Sequence, residues 1–273
     1  MPKLSRPLRS LFALAALAAA CGSALALAPS SPDELAAIYR SEVDRRLQVP
    51  PEVAQRYGEL AEEAFARADV MPVLPQYVVV VDRNPHVQAL FVMWRSLEGD
   101  YQLAGASPVS TGRPGTFDHF RTPTGVFEHT PDHMDYRAEG TYNENGIRGY
   151  GEAGMRVFDF GWQQVPKGWG DHAVIDMRLQ MHATDPDQLE QRVGTVQSKG
   201  CVRIPASVNR LIDHYGLLDA GYEDLAEAGE RVNVLPDDRE PVMDAGRYMV
   251  VVDSDRQARP AWARPGGRKR TGG

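Results

Sequence analysis

One cysteine and one histidine have the residue types and the spacing that nucleophilic catalysis requires. Cys201 lies in the run Ser198-Lys-Gly-Cys-Val-Arg203, and His182 follows an apolar run 19 residues earlier. A thiol attacks only as its thiolate, and an unperturbed cysteine has a pKa of about 8.5. A neighbouring imidazole can accept that proton and later return it to a departing amine. The pair predicts a thiol nucleophile at Cys201, with His182 as its proton acceptor and donor.

The residues around Cys201 predict how a substrate would be held. Gly200 permits a tight turn, which can present the backbone N–H groups of Gly200 and Cys201 to the oxyanion of a tetrahedral intermediate. Arg203 would share a face with Cys201 in an extended segment and could grip a substrate carboxylate. A structural ion pair is an equal alternative for Arg203. Ser198 would orient His182 or the substrate, or would shape the turn.

The elements that would position these residues follow an N-terminal segment with the pattern of a secretory signal. Residues 1–28 contain three early cations, the apolar run Leu11–Ala20 and small residues that fit a cleavage site. Ala18-Ala-Ala-Cys21-Gly also loosely fits a lipoprotein processing site, which would provide a membrane tether through lipidation of Cys21. A small residue in an apolar segment is the simpler interpretation of Cys21. The segment predicts export to the periplasm or cell envelope.

The composition fits an exported globular protein. The chain is 42% hydrophobic and 25% charged, which are ordinary globular proportions. Its formal net charge of −7 argues against nucleic acid as a partner. Exported proteins usually pair their cysteines, so a lone thiol at Cys201 indicates a reactive group or an intermolecular bridge. On the count alone, an inert buried cysteine is the alternative.

Residues 29–75 predict a short helical lead-in. Ser31 fits a helix N-cap, Pro32 fits the first turn, and Glu34 occupies the capping-box position. A second helical pattern follows Pro50-Pro51. These helices could dock a partner, but packing on the following domain is the favoured interpretation.

From Tyr77 onward, short apolar and β-branched runs separated by turn residues predict strand after strand, with little helix between them. The predicted strands are 78–81, 87–94, 101–106, 109–111, 125–128 and 174–181, with closing strands at 231–235 and 248–252. This order favours an antiparallel or mixed sheet over a doubly wound α/β sheet. The fold class is therefore predicted as mainly β, a sandwich or barrel over residues 76–255 with a helix at 207–215.

Two segments do not fit this strand pattern. Residues 129–173, rich in glycine and aromatics, are predicted as an irregular excursion that forms a lid or side wall over the site. An extra hairpin that only fills the core is the alternative. The basic tail, residues 256–273, is predicted to be disordered and merely solvated, with contact to anionic wall polymer or lipid as the alternative.

The motif around the thiol resembles the signature of the L,D-transpeptidase (YkuD-type) family. The matching pattern is His182, fifteen intervening residues and then Ser198-x-Gly-Cys-x-Arg203. The segments 107–112 and 121–127 resemble the family's strand–loop–strand before the active site, and 229–234 resembles its closing strand. The resemblance covers roughly residues 77–235.

Two positions depart from the family pattern. Lys199 stands where the family usually has histidine, and Ala183 stands where it usually has glycine. A lysine side chain is a poor base at neutral pH, so His182 stays the predicted base. Lys199 is kept as a candidate substrate-binding residue together with Ser198 and Arg203.

The resemblance implies a catalytic domain that acts on peptidoglycan stem peptides without metal or cofactor. Cys201 would attack the L-centre carbonyl of meso-diaminopimelate, release D-Ala and form a thioester. The amine of another stem would then resolve the thioester into a 3→3 cross-link. Water as acceptor would make the enzyme an L,D-carboxypeptidase, which is the first alternative.

Two other functions fit parts of the sequence. A metal hydrolase could draw on the following residues: His129, His133, His172, His182 and Asp185. Pro131 opposes a helix that would bring the first pair together, and no compact ligand motif emerges. A non-catalytic wall-binding protein built on the same domain is the second alternative, because Lys199 and Ala183 depart from the family pattern.

Overall fold

The protein was examined as a computed structural model that describes residues 28–264. The predicted signal segment, including Cys21, lies outside the described residues, as does the end of the basic tail. No helix within residues 28–264 has the length and apolar character needed to cross a membrane.

The N-terminal lead-in forms two helices, α1 (Pro32–Glu42) and α2 (Pro51–Arg67). The Ser31 hydroxyl caps α1 by accepting the N–H of Glu34 at 3.3 Å. The Glu34 carboxylate accepts from Ser30 and not from Ser31, so the reciprocal bond of a capping box is replaced by one from the preceding residue. Both helices bury apolar side chains against the strands that follow, as the favoured interpretation expects.

The first sheet carries these helices. Its strands are β1 (Gln76–Asp82), β2 (Ala89–Arg95), β3 (Tyr101–Pro108), β4 (Gly125–Glu128) and β9 (Tyr248–Val252), in the order β3-β2-β1-β9-β4. β1 pairs with β9 in parallel, and the other neighbours are antiparallel. Alternate β1 valines enter two different apolar clusters, one on each face of the sheet, which explains the continuous β-branched run.

The second sheet contains the predicted histidine. Its strands are β5 (Tyr136–Arg137), β6 (Arg156–Pro166), β7 (Val174–Ala183) and β8 (Val202–Ile204), in that order. β7 and β8 are parallel. Two helices follow β8: α3 (Ala206–His214) and α4 (Ala220–Glu227).

The main apolar cluster lies between the two sheets. It joins Val79 and Val81 of β1 to Leu179 and Met181 of β7, and all four side chains are fully buried. The prediction of a mainly β fold is confirmed, since residues 28–264 form two mixed sheets and four short helices.

The prediction that residues 129–173 are irregular is wrong for much of the segment. β6 occupies residues 156–166 and pairs with β7 along most of its length, so it is a central strand of the second sheet. A β-bulge between Asp159 and Trp162 interrupts the ladder, and buried polar side chains such as Arg156 break the apolar alternation. Residues 129–155 are the mainly irregular part, and we call them the wall segment because Tyr150 packs against His182.

Two predictions near the C-terminus are also corrected. Residues 229–235 form no strand, because Val234 and Leu235 pack against Tyr222 of α4 instead of joining a sheet. The closing strand is β9 alone. Residues 256–264, predicted as disordered tail, pack on the domain: Arg259 donates to the carbonyls of Pro85 and Gly194.

Candidate active site

The turn before β8 holds the thiol in a backbone conformation that requires glycine. Gly200 has φ of +147°, and a Cβ placed there would lie 2.4 Å from the Met177 sulfur. Ser198 is buried, and its hydroxyl donates to the Cys201 carbonyl at 2.5 Å while accepting the Gly200 N–H at 3.1 Å. The Ser198 side chain therefore shapes the turn and is not directed at a substrate.

This bonding also corrects the role predicted for Gly200. Its N–H already donates to Ser198, so it does not face an oxyanion in this conformation. The requirement for glycine at position 200 comes from its φ and from the nearby Met177 sulfur.

A threonine that was not among the predicted site residues, in the loop before β4, holds the turn. The Thr122 hydroxyl accepts the Gly112 N–H at 2.8 Å and donates to the Gly200 carbonyl at 2.6 Å. The Phe120 N–H donates to the Lys199 carbonyl at 2.8 Å. Thr122 is fully buried, so these bonds are protected from water and hold the turn rigidly.

The Lys199 side chain forms a surface ion pair. Its ammonium group pairs with Asp118 at 2.7 Å, and both side chains are more than half exposed. Substrate binding by Lys199 stays a prediction. The contribution of this residue to the turn is its backbone carbonyl.

The parallel pairing of β7 with β8 brings His182 and Cys201 to neighbouring strands. Met181 is level with Val202, and His182 is level with Arg203. Cys201 directly precedes β8, so it lies two residues upstream of Arg203 and next to the Gln180–His182 stretch of β7. Its thiol is partly exposed and donates to the Arg178 carbonyl at 3.8 Å.

The His182 imidazole is oriented as a base. Its Nδ1 lies 2.6 Å from the Ala183 carbonyl. A carbonyl oxygen only accepts, so Nδ1 carries the proton and the lone pair of Nε2 remains for another donor. Burial lowers the pKa of His182 to about 4, against the opposing effect of the Ala183 carbonyl. The imidazole is therefore neutral at pH 7.

The thiol is also neutral at rest. Burial raises the pKa of Cys201 above its ordinary value, even though the Arg203 cation opposes this shift. The site thus holds a neutral thiol and a neutral imidazole on neighbouring stretches of chain. This differs from a preformed thiolate–imidazolium pair.

Arg203 brings a positive charge to the same face without a structural counter-ion. Within residues 28–264 no carboxylate forms an ion pair with Arg203, and its buried Nε has no hydrogen-bond partner. Burial lowers the pKa of its guanidinium. An arginine in this state is suited to receive a substrate carboxylate, which favours the substrate-binding alternative over the structural ion pair.

Two tyrosines form a wall beside the imidazole. The ring centroids of Tyr150 and His182 are 4.7 Å apart in an edge arrangement, and Tyr136 lies 5.8 Å from Tyr150. Both tyrosines line a cavity of about 580 Å³ formed by residues 136–143 and 149–151. The sequence offered only an aromatic-rich segment here, with no spacing that singled out either tyrosine.

The residues considered for a metal hydrolase have other partners. His129 is completely buried, with Nδ1 at 2.8 Å from the Leu218 carbonyl and Nε2 at 2.9 Å from both Asp135 oxygens. The described residues contain no group of three or more side chains arranged to hold a metal ion. This histidine belongs to a buried ion-pair cluster.

The two-sheet fold with a cysteine and a histidine on neighbouring stretches of chain is typical of a thiol-dependent catalytic domain, and comparison with known families identifies which one. Residues 76–234, more than half of the chain, match the family described as YkuD, the L,D-transpeptidase catalytic domain. The chain therefore belongs to the YkuD L,D-transpeptidase family.

Comparisons with curated proteins and with solved structures found only distant similarity. No curated protein matches the chain. Among solved structures, it is similar to the helical cell shape determining protein Pgp2 (K307A mutant) from Campylobacter jejuni, at 13% identity and a TM-score of 0.36. That match covers 85% of this chain and 58% of the Pgp2 chain.

Proposed function

We propose that the protein is an exported peptidoglycan L,D-transpeptidase with Cys201 as nucleophile and His182 as acid and base. The observation that carries the proposal is the β7–β8 pairing. This pairing brings the segment that carries Cys201 to the strand that carries His182. The His182 Nδ1 is engaged by the Ala183 carbonyl, so Nε2 is available to accept a proton in the proposed mechanism.

The first half-reaction forms a thioester. The Cys201 proton passes to His182 Nε2 as the sulfur attacks the L-centre carbonyl of meso-diaminopimelate in a tetrapeptide stem. The Cys201 N–H is the turn's candidate donor to the oxyanion, since the Gly200 N–H is engaged. The carbon–nitrogen bond then breaks, and the imidazolium gives its proton to the amine of the departing D-Ala.

The second half-reaction restores the enzyme. An amine of a second stem attacks the thioester, and His182 accepts the proton that this amine loses. The sulfur leaves as thiolate and regains the proton from the imidazolium, which completes a 3→3 cross-link. Water in place of the amine would release a tripeptide stem, the product of an L,D-carboxypeptidase.

The neutral resting state of the Cys201 thiol suits a reaction in an oxidising compartment. A thiol with a raised pKa is a poor target for oxidants and unrelated electrophiles, because the thiolate is the reactive species. Substrate that fills the site and engages Arg203 would favour thiolate formation only when an acyl donor is present.

The decisive experiment incubates the purified protein with a disaccharide tetrapeptide and analyses the products by mass spectrometry. Cross-linked dimer and a thioester adduct on the peptide containing Cys201 are expected. Cys201→Ala should abolish both, with a loss on the order of 10⁴-fold or more. His86 is an exposed histidine, and the control variant His86→Gln should react like the wild type.

Tripeptide without dimer would replace the transferase assignment with the carboxypeptidase one. Turnover that persists in Cys201→Ala would end the proposal. An absence of both products and adduct in the wild type would favour a non-catalytic wall-binding role.

A further inference from the structure

An arginine beside the thiol is held by a buried carboxylate. The Arg178 Nε donates to Asp159 Oδ2 at 2.7 Å, and Asp159 is completely buried while the Arg178 side chain is 41% exposed. The same oxygen accepts from Gln180 at 2.7 Å, and Oδ1 accepts the Gly161 N–H at 2.9 Å. Asp159 is thus a fully bonded anchor that fixes the base of the guanidinium.

The outer end of this guanidinium is fixed in direction but unoccupied by protein. Its Cζ lies 5.6 Å from the ring centroid of Trp162, its cross-strand partner, whose side chain is 59% exposed. Within residues 28–264 neither terminal nitrogen of Arg178 has a hydrogen-bond partner. Carboxylate on one side and indole on the other leave a rigid fork of N–H donors that faces solvent.

The position of this fork relative to the thiol follows from strand geometry. Alternate residues of β7 share a face, so Arg178 lies on the same face as His182. His182 is level with Arg203, and the Arg178 carbonyl accepts from the Cys201 thiol at 3.8 Å. The two arginines therefore lie on opposite sides of the sulfur along the strand direction, with Arg178 at the exposed end and Arg203 at the more enclosed end.

We propose that Arg178 binds the C-terminal carboxylate of the residue that leaves when the thioester forms. This inference rests on the proposed function and adds a substrate requirement to it. The departing residue must diffuse away and be replaced by the acceptor, so it must occupy the exposed end of the site. The part of the substrate that stays on sulfur occupies the enclosed end near Arg203.

The chemistry of this contact predicts a preference for substrates that end at the leaving residue. A guanidinium with two free terminal nitrogens binds a carboxylate through paired, charge-assisted hydrogen bonds. A C-terminal amide, or a chain that continues, removes the negative charge and directs an amide N–H towards the N–H groups of Arg178. Arg178 would thus restrict attack to the terminal peptide bond of a stem.

The test compares two tetrapeptide substrates that differ in one group, a free C-terminal carboxylate or its carboxamide. The wild type should favour the free acid in kcat/KM by about 10- to 100-fold. Arg178→Gln should remove this preference by lowering kcat/KM for the acid and leaving the amide nearly unchanged. Arg178→Lys should retain part of the preference, because it keeps the charge without the fork.

Two controls separate this contact from a general defect. Arg56→Gln alters a half-exposed arginine of α2 that pairs with Glu59 and should keep the wild-type preference. The rate of Cys201 alkylation by chloroacetamide, a small neutral reagent, should be equal in the wild type and Arg178→Gln, which shows that the thiol and its turn are intact.

The outcomes distinguish this inference from the function on which it rests. Equal turnover of acid and amide by the wild type, or an undiminished preference in Arg178→Gln, overturns the role of Arg178 and leaves the thioester mechanism standing. No turnover of either substrate by the wild type overturns the proposed function instead. A third substrate is amidated on the diaminopimelate side-chain carboxylate, and its kcat/KM should fall by the same factor with the wild type and with Arg178→Gln. If kcat/KM falls only with the wild type, Arg178 binds the residue retained on sulfur, and the inference is overturned.

Discussion

Two buried histidines in this molecule have pKa values that move in opposite directions. His182 is 4% exposed and its pKa falls to about 4, whereas His129 is 0% exposed and its pKa rises. Burial lowers the pKa of both imidazoles. Their partners make the difference, because His182 meets a carbonyl and His129 meets the Asp135 carboxylate at 2.9 Å.

The environment of His129 is a buried ion-pair cluster. Arg156 is completely buried and donates to Asp135 and Asp219, both at 2.7 Å. Arg156 also donates to Asp213 at 3.3 Å, so three carboxylates surround Arg156 and His129. Asp135 comes from the wall segment, Arg156 from β6 and Asp219 from the start of α4, so the cluster ties three parts of the domain together.

The comparison teaches that burial alone does not assign a role to a histidine. A neutral buried imidazole with one free nitrogen can exchange a proton, which is what catalysis requires. A charged buried imidazole with both nitrogens committed cannot exchange one without breaking its contacts. The geometry of His182 is compatible with proton exchange, whereas His129 connects residues 129–155 to the rest of the domain.

The largest expected effect comes from His182→Gln. The substitution removes the proton acceptor, so the rate of thioester formation should fall on the order of 10³- to 10⁴-fold. The thermal midpoint should change little, because no charge is left unpaired. Rapid-quench measurement of the Cys201 adduct checks this, and a loss below tenfold would show that another group accepts the proton.

The second effect, His129→Gln, should reverse that pattern. Removing one partner of a buried pair leaves Asp135 and the cluster unbalanced, at an expected cost of about 3–5 kcal/mol in the free energy of unfolding. Activity of the protein that stays folded should remain near wild type. Chemical denaturation measures the free energy of unfolding, and an activity assay on the folded protein measures the second expectation. Unchanged stability would show that the cluster does not depend on the imidazolium.

The smallest effect is a difference in titration. Histidine side-chain NMR, assigned with the two Gln variants, should show His182 neutral at pH 5 and His129 keeping its proton to a higher pH than His182 does. Activity as kcat/KM should therefore stay level between about pH 5 and 7 and fall as His182 titrates near pH 4. Parallel titration of both rings near pH 6.5 would remove the contrast.

The same shifts give opposite contributions to stability. The lowered pKa of His182 means that its stabilising contribution is present above pH 6.5 and declines as the pH falls toward about 4. The raised pKa of His129 gives a contribution that is present below pH 6.5 and is lost as the pH rises through its folded value. In a plot of the unfolding midpoint against pH, His182→Gln should remove the dependence between about pH 4 and 6.5, and His129→Gln should remove the dependence above pH 6.5.

Much of the fold and the central pair could be predicted from sequence because their signals are local. Apolar runs located most strands, and Ser31 with Pro32 marked the start of α1. The spacing of His182 and Cys201 could be interpreted because a 19-residue connection suffices to link two neighbouring parallel strands. The resemblance of this spacing to a known family supplied the proposed chemistry.

The remaining features depend on contacts between distant residues. Thr122 bonds to Gly200 across 78 positions, and although the segment 121–127 resembles a family motif, nothing local in it indicates this bond. β6 was hidden because Arg156 and Asp159 are buried polar residues whose partners lie elsewhere in the chain. The valine pattern of 231–235 resembles that of β9, and pairing with β1 decides which one becomes a strand.

The place of β9 in the first sheet has a consequence for synthesis. This strand lies between β1 and β4, although it is built from residues 248–252. A nascent chain that stops before Tyr248 can pair β1 with β2 and β2 with β3, but it leaves the other edge of β1 open and β4 without a neighbour. The five-stranded sheet is therefore completed only after residues 248–252 have been made.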